Sequence, residues 1–283
     1  MHTILHKEML TERTWRLTVR APLIARKNRA GQFLILRIDE AGERIPLTVA
    51  DWDREAGTVD LYFQEVGAST ERLATLEESD VIQDLVGPLG NPSRIERVDG
   101  TVVMVGGGFG IAAGYPVVRA FREAGNRVIA ILGARTQNLL ICREMLAEVC
   151  DEVLVATNDG SCGVKGLVSD VLSELFERGE RIGLVFPVGP PIMMKVISRM
   201  TLPHRIRTVV SLNTIMVDGT GMCGSCRVTV GGKSRFVCSE GLDFDGHAVD
   251  WDEMLARQTM YGREEREALA WYHEHGACRG VAP

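Results

Sequence analysis

The sequence predicts three parts in order: a small β barrel, a doubly wound parallel α/β sheet, and a short C-terminal loop module built around cysteines. Three observations lead there. Through residues 1–97, short segments alternate apolar and polar positions between turn residues. Through residues 98–212, apolar runs of strand length alternate with helical stretches. Through residues 213–250 that rhythm stops, in a stretch rich in Gly, Asp and Cys. Residues 251–283 then read as a polar, charged helical tail.

Within the first part, TWRLTVRAP, QFLILRID, RIPLTVADWD and GTVDLYFQEV carry the alternation and the β-branched and aromatic residues of strands. AGERIP and DREAGT break them as turns. STERLATLEESD reads as a short capped helix, and DLVGPLGNPS as a Gly/Pro-rich connection. Short strands at this spacing suit a small closed barrel.

Within the second part, TVVMVGGGFG, RVIAILGART, EVLVATND, IGLVFPVGP and RIRTVVSL read as strands. IAAGYPVVRAFREAG, LLICREMLAEVC, VSDVLSELFERG and PIMMKVISRMT read as the helices around them, the first ending at Gly125.

Composition narrows the function class. At about 100–200 residues per domain, 283 residues suggest two domains and a small third module. A 45% hydrophobic content supplies a core and excludes a disordered scaffold. The net charge is −6 and no basic run is interleaved with aromatics, so nucleic acid is not an expected partner. No apolar run reaches the ~18 residues of a membrane span, and MHTILHKEMLTERTW does not read as a signal peptide. A cytoplasmic location is the expectation. Seven cysteines, an odd number, argue against a disulfide framework. Cys142, Cys150, Cys162 and Cys278 are scattered and read as ordinary thiols.

The other three cysteines are grouped. Asp218, Cys223, Cys226 and Cys238 stand as D-x4-C-x2-C-x11-C. The plant-type [2Fe–2S] spacing is C-x4-C-x2-C with a distant fourth Cys, so Asp218 stands at the first position. A carboxylate binds iron but is a harder ligand than a thiolate. Gly219, Gly221 and Gly224 make the loop able to wrap a cluster. Zinc is the competing reading, but zinc sites usually join two Cys/His pairs, and only one C-x2-C is present. A water or another side chain is the alternative to Asp218 as fourth ligand.

Gly106, Gly107, Gly108 and Gly110 follow a strand and open a helix, as G-G-G-F-G-I-A. Glycines there let backbone N–H groups approach a phosphate at a helix N-terminus. The spacing is not a strict G-x-G-x-x-G, so the context carries the inference of a nucleotide. Gly189 and Pro190 end a later strand, and Asp159 ends another. Ligands of open parallel sheets bind outside the carboxyl ends of strands, where these loops converge. Arg135, after the second strand of this part, suits either a 2′-phosphate or stacking on adenine, so NAD(H) and NADP(H) both stay open.

Arg44, Ile45, Pro46, Leu47 and Thr48 form R-I-P-L-T on a barrel strand. An Arg fork can hold a diphosphate, and Thr48 offers a hydroxyl. Gly67, Ser69 and Thr70 lead into a helix and form a second phosphate-sized turn. The plain alternative is an exposed Arg and an ordinary helix cap. No Ser-His-Asp or Cys-His arrangement stands out, and no catalytic side chain is assigned.

R-I-P-L-T, G-A-S-T, G-P-L-G, G-G-G-F-G-I-A and V-G-P-P-I-M-M, in this order, resemble the ferredoxin–NADP reductase superfamily. Within it the chain resembles the branch of the dihydroorotate dehydrogenase electron-transfer subunit, along nearly its whole length. D-G-T-G-M-C-G-S-C-R-V and F-D-G-H-A-V-D-W-D-E look most like the small subunits of NADH-dependent reduced ferredoxin:NADP+ oxidoreductase, also called sulfide dehydrogenase beta subunits. The dihydroorotate subunits carry Cys in place of Asp218, which argues against that role.

The resemblance implies a flavoprotein oxidoreductase subunit for electron transfer and electron bifurcation. It implies FAD at Arg44, Pro46, Leu47 and Thr48, with Gly67 and Thr70 near the flavin. It implies NAD(H) over Gly107, Gly108, Gly110, Asp159 and Gly189, and a [2Fe–2S] cluster on Asp218, Cys223, Cys226 and Cys238. It also implies a partner, a larger iron–sulfur flavoprotein subunit. Two other readings are weighed beside it. One is an electron-transfer subunit feeding dihydroorotate dehydrogenase or a sulfide/polysulfide enzyme. The other is a zinc-stabilised nucleotide-binding interaction module.

Overall fold

The computed structural model describes residues 1–276. Alternating, β-branched segments form β1 (His2–Thr11), β2 (Thr14–Arg20), β3 (Phe33–Arg37), β4 (Ile45–Asp53), β5 (Thr58–Gln64), β6 (Val81–Ile82) and β7 (Asp84–Leu89). Helices α1 (Pro22–Lys27) and α2 (Ala68–Ala74) lie between them. The strands pair antiparallel in the order β6-β1-β2-β5-β4-β3-β7 and curl into a barrel. The end strands are not bonded to each other, so the barrel is nearly closed rather than closed. Leu17 and Val19 of β2, Leu34 and Leu36 of β3, and Leu61 and Phe63 of β5 fill it from alternate positions.

The sequence reading missed β1 and α1 and took β7 for a connection. Gly87 and Pro88 stay in β7 because it is the last strand of its sheet, so a missing N–H leaves no second neighbour unpaired.

The second part contains β8 (Thr101–Gly107), α3 (Gly110–Glu123), β9 (Val128–Ala134), α4 (Arg143–Val149), β10 (Glu152–Thr157), β11 (Val164–Lys165), α5 (Val168–Glu177), β12 (Ile182–Val188), α6 (Pro191–Thr201) and β13 (Arg207–Ser211). The third contains β14 (Arg227–Val230), β15 (Lys233–Phe236), α7 (Val237–Glu240), β16 (Asp243–Asp245), α8 (Trp251–Gln258) and α9 (Gly262–His275).

The large sheet runs β11-β10-β9-β8-β12-β13-β16. It is parallel from β11 to β13, and β16 adds an antiparallel edge. Its central strands β8, β9 and β12 are largely buried on both faces. One face packs Val102 and Met104 against Ile111 and Val118 of α3. The other packs Val103 and Val105 against Val171 and Leu172 of α5 and Ile197 of α6. The expected helix LLICREMLAEVC starts late: Cys142 adopts φ 57°, and α4 begins only at Arg143.

A third core joins the parts. Phe33 and Ile35 of β3, Met194 of α6, and Cys226, Cys238, Leu242 and Trp251 pack together, all at 8% exposure or less. Full burial of such a side chain contributes ~1.5–3 kcal/mol. The cysteine module is therefore seated by apolar packing against both larger parts. A separate brace crosses from barrel to sheet. Arg119 of α3 pairs with Asp51 of β4 at 2.6 Å and stacks on Trp52 and Tyr115.

No helix among the described residues is long and apolar enough to cross a membrane. Cys278 and the last residues of the expected helical tail lie outside the described residues.

Candidate functional site

A cleft of about 860 Å³ opens between the barrel and the carboxyl edge of the parallel sheet. Pro46, Leu47 and Thr48 of β4 form its barrel wall. Gly107, Gly108 and Gly110 after β8, Arg135 after β9, and Gly189 and Pro190 after β12 form its sheet wall. Nine of the residues singled out from sequence thus meet in one space. The glycine turns are close-packed. A Cβ at Gly110 would stand 2.5 Å from Gly189 Cα, so only glycine lets the two loops touch. At Gly108, with φ +53°, a Cβ would meet nothing within 4 Å, because that position faces the open cleft.

The remaining predicted residues lie off the lining. Gly106 is buried in β8. Arg44 is exposed just before β4. Gly67, Ser69 and Thr70 open α2, where Thr70 Oγ1 accepts from the Val66 and Gly67 N–H groups. Ser69 Oγ donates to Glu43 at 2.5 Å, which ties the first turn of α2 to the segment carrying Arg44. Asp159 is exposed, and its carboxylate accepts from the Ser161 hydroxyl at 2.7 Å and from the Ser161 N–H at 3.0 Å. Those bonds hold it below the usual carboxylate range.

Sequence reasoning missed Leu167–Ser169, at the start of α5, and Ser211–Asn213, at the end of β13, on the cleft wall. Their position at strand and crossover ends was the available signal.

At one end of the cleft, Leu242 belongs both to its lining and to the apolar core around Cys226 and Cys238. The cysteine loop therefore adjoins the cleft. Cys226 and Cys238 are buried with their sulfurs 3.1 Å apart. Burial, reinforced by its neighbour Cys226, raises the Cys238 thiol. Cys223 is exposed, two positions from Ser225, whose hydroxyl lies 3.2 Å from its sulfur. That hydroxyl and the Ser225 N–H hold the Cys223 thiol below its ordinary value. Asp218 accepts from the Thr220 N–H at 2.8 Å and the Cys223 N–H at 2.9 Å, and its carboxyl is held low by them.

Only Cys226 and Cys238 bring sulfur to sulfur, at 3.1 Å; Asp218 meets Cys223 through the main-chain N–H of Cys223. Among the described residues no three His, Cys, Asp or Glu side chains converge on one ion. Three thiols and one carboxylate supply four donors within the cysteine module, the number that a two-iron cluster takes. Gly219, Gly221 and Gly224 all have positive φ, which permits the tight wrapping of this loop. Elsewhere, burial pushes the thiols of Cys142 and Cys150 up to about 12, as inert packing residues.

Comparison with known proteins agrees with this layout. Residues 213–250 match the iron–sulfur cluster binding domain of dihydroorotate dehydrogenase B. A homologue of the electron-transfer subunit of NAD(+)-dependent dihydroorotate dehydrogenase B from Thermotoga maritima is 45% identical, over 94% of this chain and 93% of its own. A probable subunit of that type from Methanopyrus kandleri is 35% identical over 84% of each chain. A solved chain of the NADH-dependent reduced ferredoxin-NADP oxidoreductase, a structure described for flavin-based electron bifurcation, is 44% identical with a TM-score of 0.91. It covers 96% of this chain and 98% of its own. Identity of this extent along nearly whole chains means that the chain belongs to the family of dihydroorotate dehydrogenase B electron-transfer subunits.

Proposed function

We propose that the chain is an oxidoreductase subunit that passes electrons between NAD(H) and a partner subunit through FAD and a [2Fe–2S] cluster. The carrying observation is the continuous arrangement of the cleft, Leu242 and the buried thiols Cys226 and Cys238. Residues 1–97 hold the flavin in this reading, 98–212 the nicotinamide nucleotide, and 213–250 the cluster.

Bound FAD supplies hydride acceptance and single-electron release, and the cluster carries one electron at a time. The chain supplies position. Pro46, Leu47 and Thr48 would hold the flavin along the barrel wall, with Arg44 and the first turn of α2 as its expected phosphate-binding groups. Gly107, Gly108 and Gly110 offer N–H groups and a helix N-terminus to the nucleotide phosphates. Gly189 and Pro190 seat the nicotinamide end. Asp218, Cys223, Cys226 and Cys238 are the cluster donors.

The partner in this reading is a larger iron–sulfur flavoprotein. The relative described for electron bifurcation supports that choice over dihydroorotate dehydrogenase, and so does Asp218 in place of a fourth Cys. Cys223 is exposed and Met222 beside it is 89% exposed, which supports this loop as the point where electrons leave.

The test is the anaerobically purified or reconstituted chain, titrated with NADH and with NADPH. Flavin bands over broad iron–sulfur absorption, bleached by NADH, are expected. A colourless, zinc-containing protein overturns the reading. Co-purification identifies the partner.

A further inference from the structure

Two consecutive side chains of α8 tie the cysteine loop to the rim of the cleft. Arg257 Nη2 donates to the Ser225 carbonyl at 3.0 Å, inside the C-x2-C turn. Gln258 Nε2 donates to the Asn213 carbonyl at 2.8 Å, on the cleft wall. A cavity of about 210 Å³ lies between this end of α8 and the loop, and Arg257 and Cys223 share its lining. Helix α8 is itself fixed. Asp250 caps it by accepting from the Glu253 N–H, Trp251 is buried, and Asp252 pairs with Lys195 of α6. A half-buried guanidinium on a rigid helix is thereby held against the backbone of the turn that carries two of the cysteines. Arg227 lines the same cavity but is exposed, so solvent screens it more.

We infer that Arg257 is a positioning residue that sets the reduction potential of the cluster in this loop. The inference rests on the proposed electron-transfer reading. When the site gains one electron, its charge falls by one. Arg257 exchanges no electron and no proton. It offers a fixed positive charge that stabilises the reduced state more than the oxidised one. Net charge and hydrogen bonding around the sulfurs are among the factors that set such potentials. The guanidinium also orders the Ser225 peptide, whose neighbours on either side are Gly224 and Cys226.

The test separates charge from scaffold. Arg257→Gln keeps a donor for the Ser225 carbonyl and removes the charge. Arg257→Lys keeps the charge and loses the fork. The whole chain is reconstituted, iron and sulfide are counted, and the cluster is titrated with EPR readout beside the flavin. For Gln, full cluster content is expected, with reduction disfavoured about tenfold, or about 59 mV for one electron. The Lys variant is expected to stay near the wild-type potential, and the flavin potential to stay unchanged in both. A wild-type potential in the Gln variant overturns the inference. So does equal loss of cluster from Gln and Lys with no shift in what remains, which marks a purely structural brace. If the wild-type chain itself takes up no iron and sulfide, the functional reading fails instead.

Discussion

Arg119 of α3 and Asp51 of β4 meet across the joint between barrel and parallel sheet, Nη1 to Oδ1 at 2.6 Å. Both side chains are about three-quarters buried, and the guanidinium lies over Trp52 and Tyr115 at 5.2 and 5.3 Å. The pair links β4, which carries the barrel wall of the cleft, to α3, which follows the glycine turn of the sheet wall. A charge-assisted hydrogen bond of this kind is worth about 1.5–3 kcal/mol. Hydride transfer needs reacting atoms about 3–3.5 Å apart, and small misplacements are costly. Arg119→Ala is expected to slow flavin reduction by NADH about ten- to a hundredfold while the saturating NADH concentration changes little. Anaerobic stopped-flow reads both. A pure loss of NADH affinity at an unchanged limiting rate assigns Arg119 to binding instead.

The two glycines after β8 fail in different ways. At Gly110 a Cβ collides with the backbone of Gly189 and Val188 at 2.5–2.6 Å. Gly110→Ala must push the two nucleotide loops apart, and both stability and NADH binding are expected to fall. At Gly108 the added Cβ meets open space but sits at φ +53°. That strain costs ~1–2 kcal/mol. Gly108→Ala is expected to fold with a modestly lowered melting temperature and, if the proposed nucleotide site is right, to bind NADH at least tenfold more weakly, because its methyl would enter the open cleft. Calorimetric titration with NADH alongside thermal melts distinguishes the two. Unweakened binding by Gly108→Ala removes that turn from the nucleotide site.

Asp218 tests the donor set. Its carboxylate accepts from the Thr220 and Cys223 N–H groups and anchors the loop even without a cluster. Asp218→Cys is expected to keep the cluster and lower its potential, because a thiolate donates more charge to iron than a carboxylate does. The midpoint potential and visible spectrum of the variant are the measurements. No change in either removes Asp218 from the coordination shell.

The order of the parts was legible in the sequence because two periodicities, alternation in the barrel and strand–helix exchange in the sheet, are local signals. What stayed illegible depends on tertiary partners. β1 is half-exposed over much of its length and lacks a clean apolar alternation, and only its pairing with β2 makes it a strand. β16 looked like irregular loop because its three residues gain strand geometry only from β13. The cleft was legible at Pro46 and Gly110, where rare residues mark special backbone. It was not legible at Ser211–Asn213, where ordinary residues become lining through topology. The brace from Arg257 to Ser225 joins residues 32 apart, and nothing in either segment announces the other.

Asp243 connects the joint to pH. It lies on β16, one residue after Leu242 of the cleft, and its Oδ1 is buried without a hydrogen-bond partner. The Ser93 hydroxyl is likewise buried, on a separate cavity of about 610 Å³ that Asp243 also lines. Burial raises the Asp243 carboxyl to about 6. The folded chain therefore keeps this proton up to about pH 6, whereas an unfolded Asp releases it near 4. The stabilisation is complete below about pH 4 and is lost as pH rises through about 6. Asp243→Asn carries no charge to bury, so it is expected to be more stable than wild type at pH 7.5, by up to about 3 kcal/mol. The advantage should shrink to nothing near pH 4. Thermal midpoints of both proteins across pH 4–7.5 make the comparison. A constant difference across that range means that the substitution acts through packing, and that Asp243 is already solvated or paired when ionised.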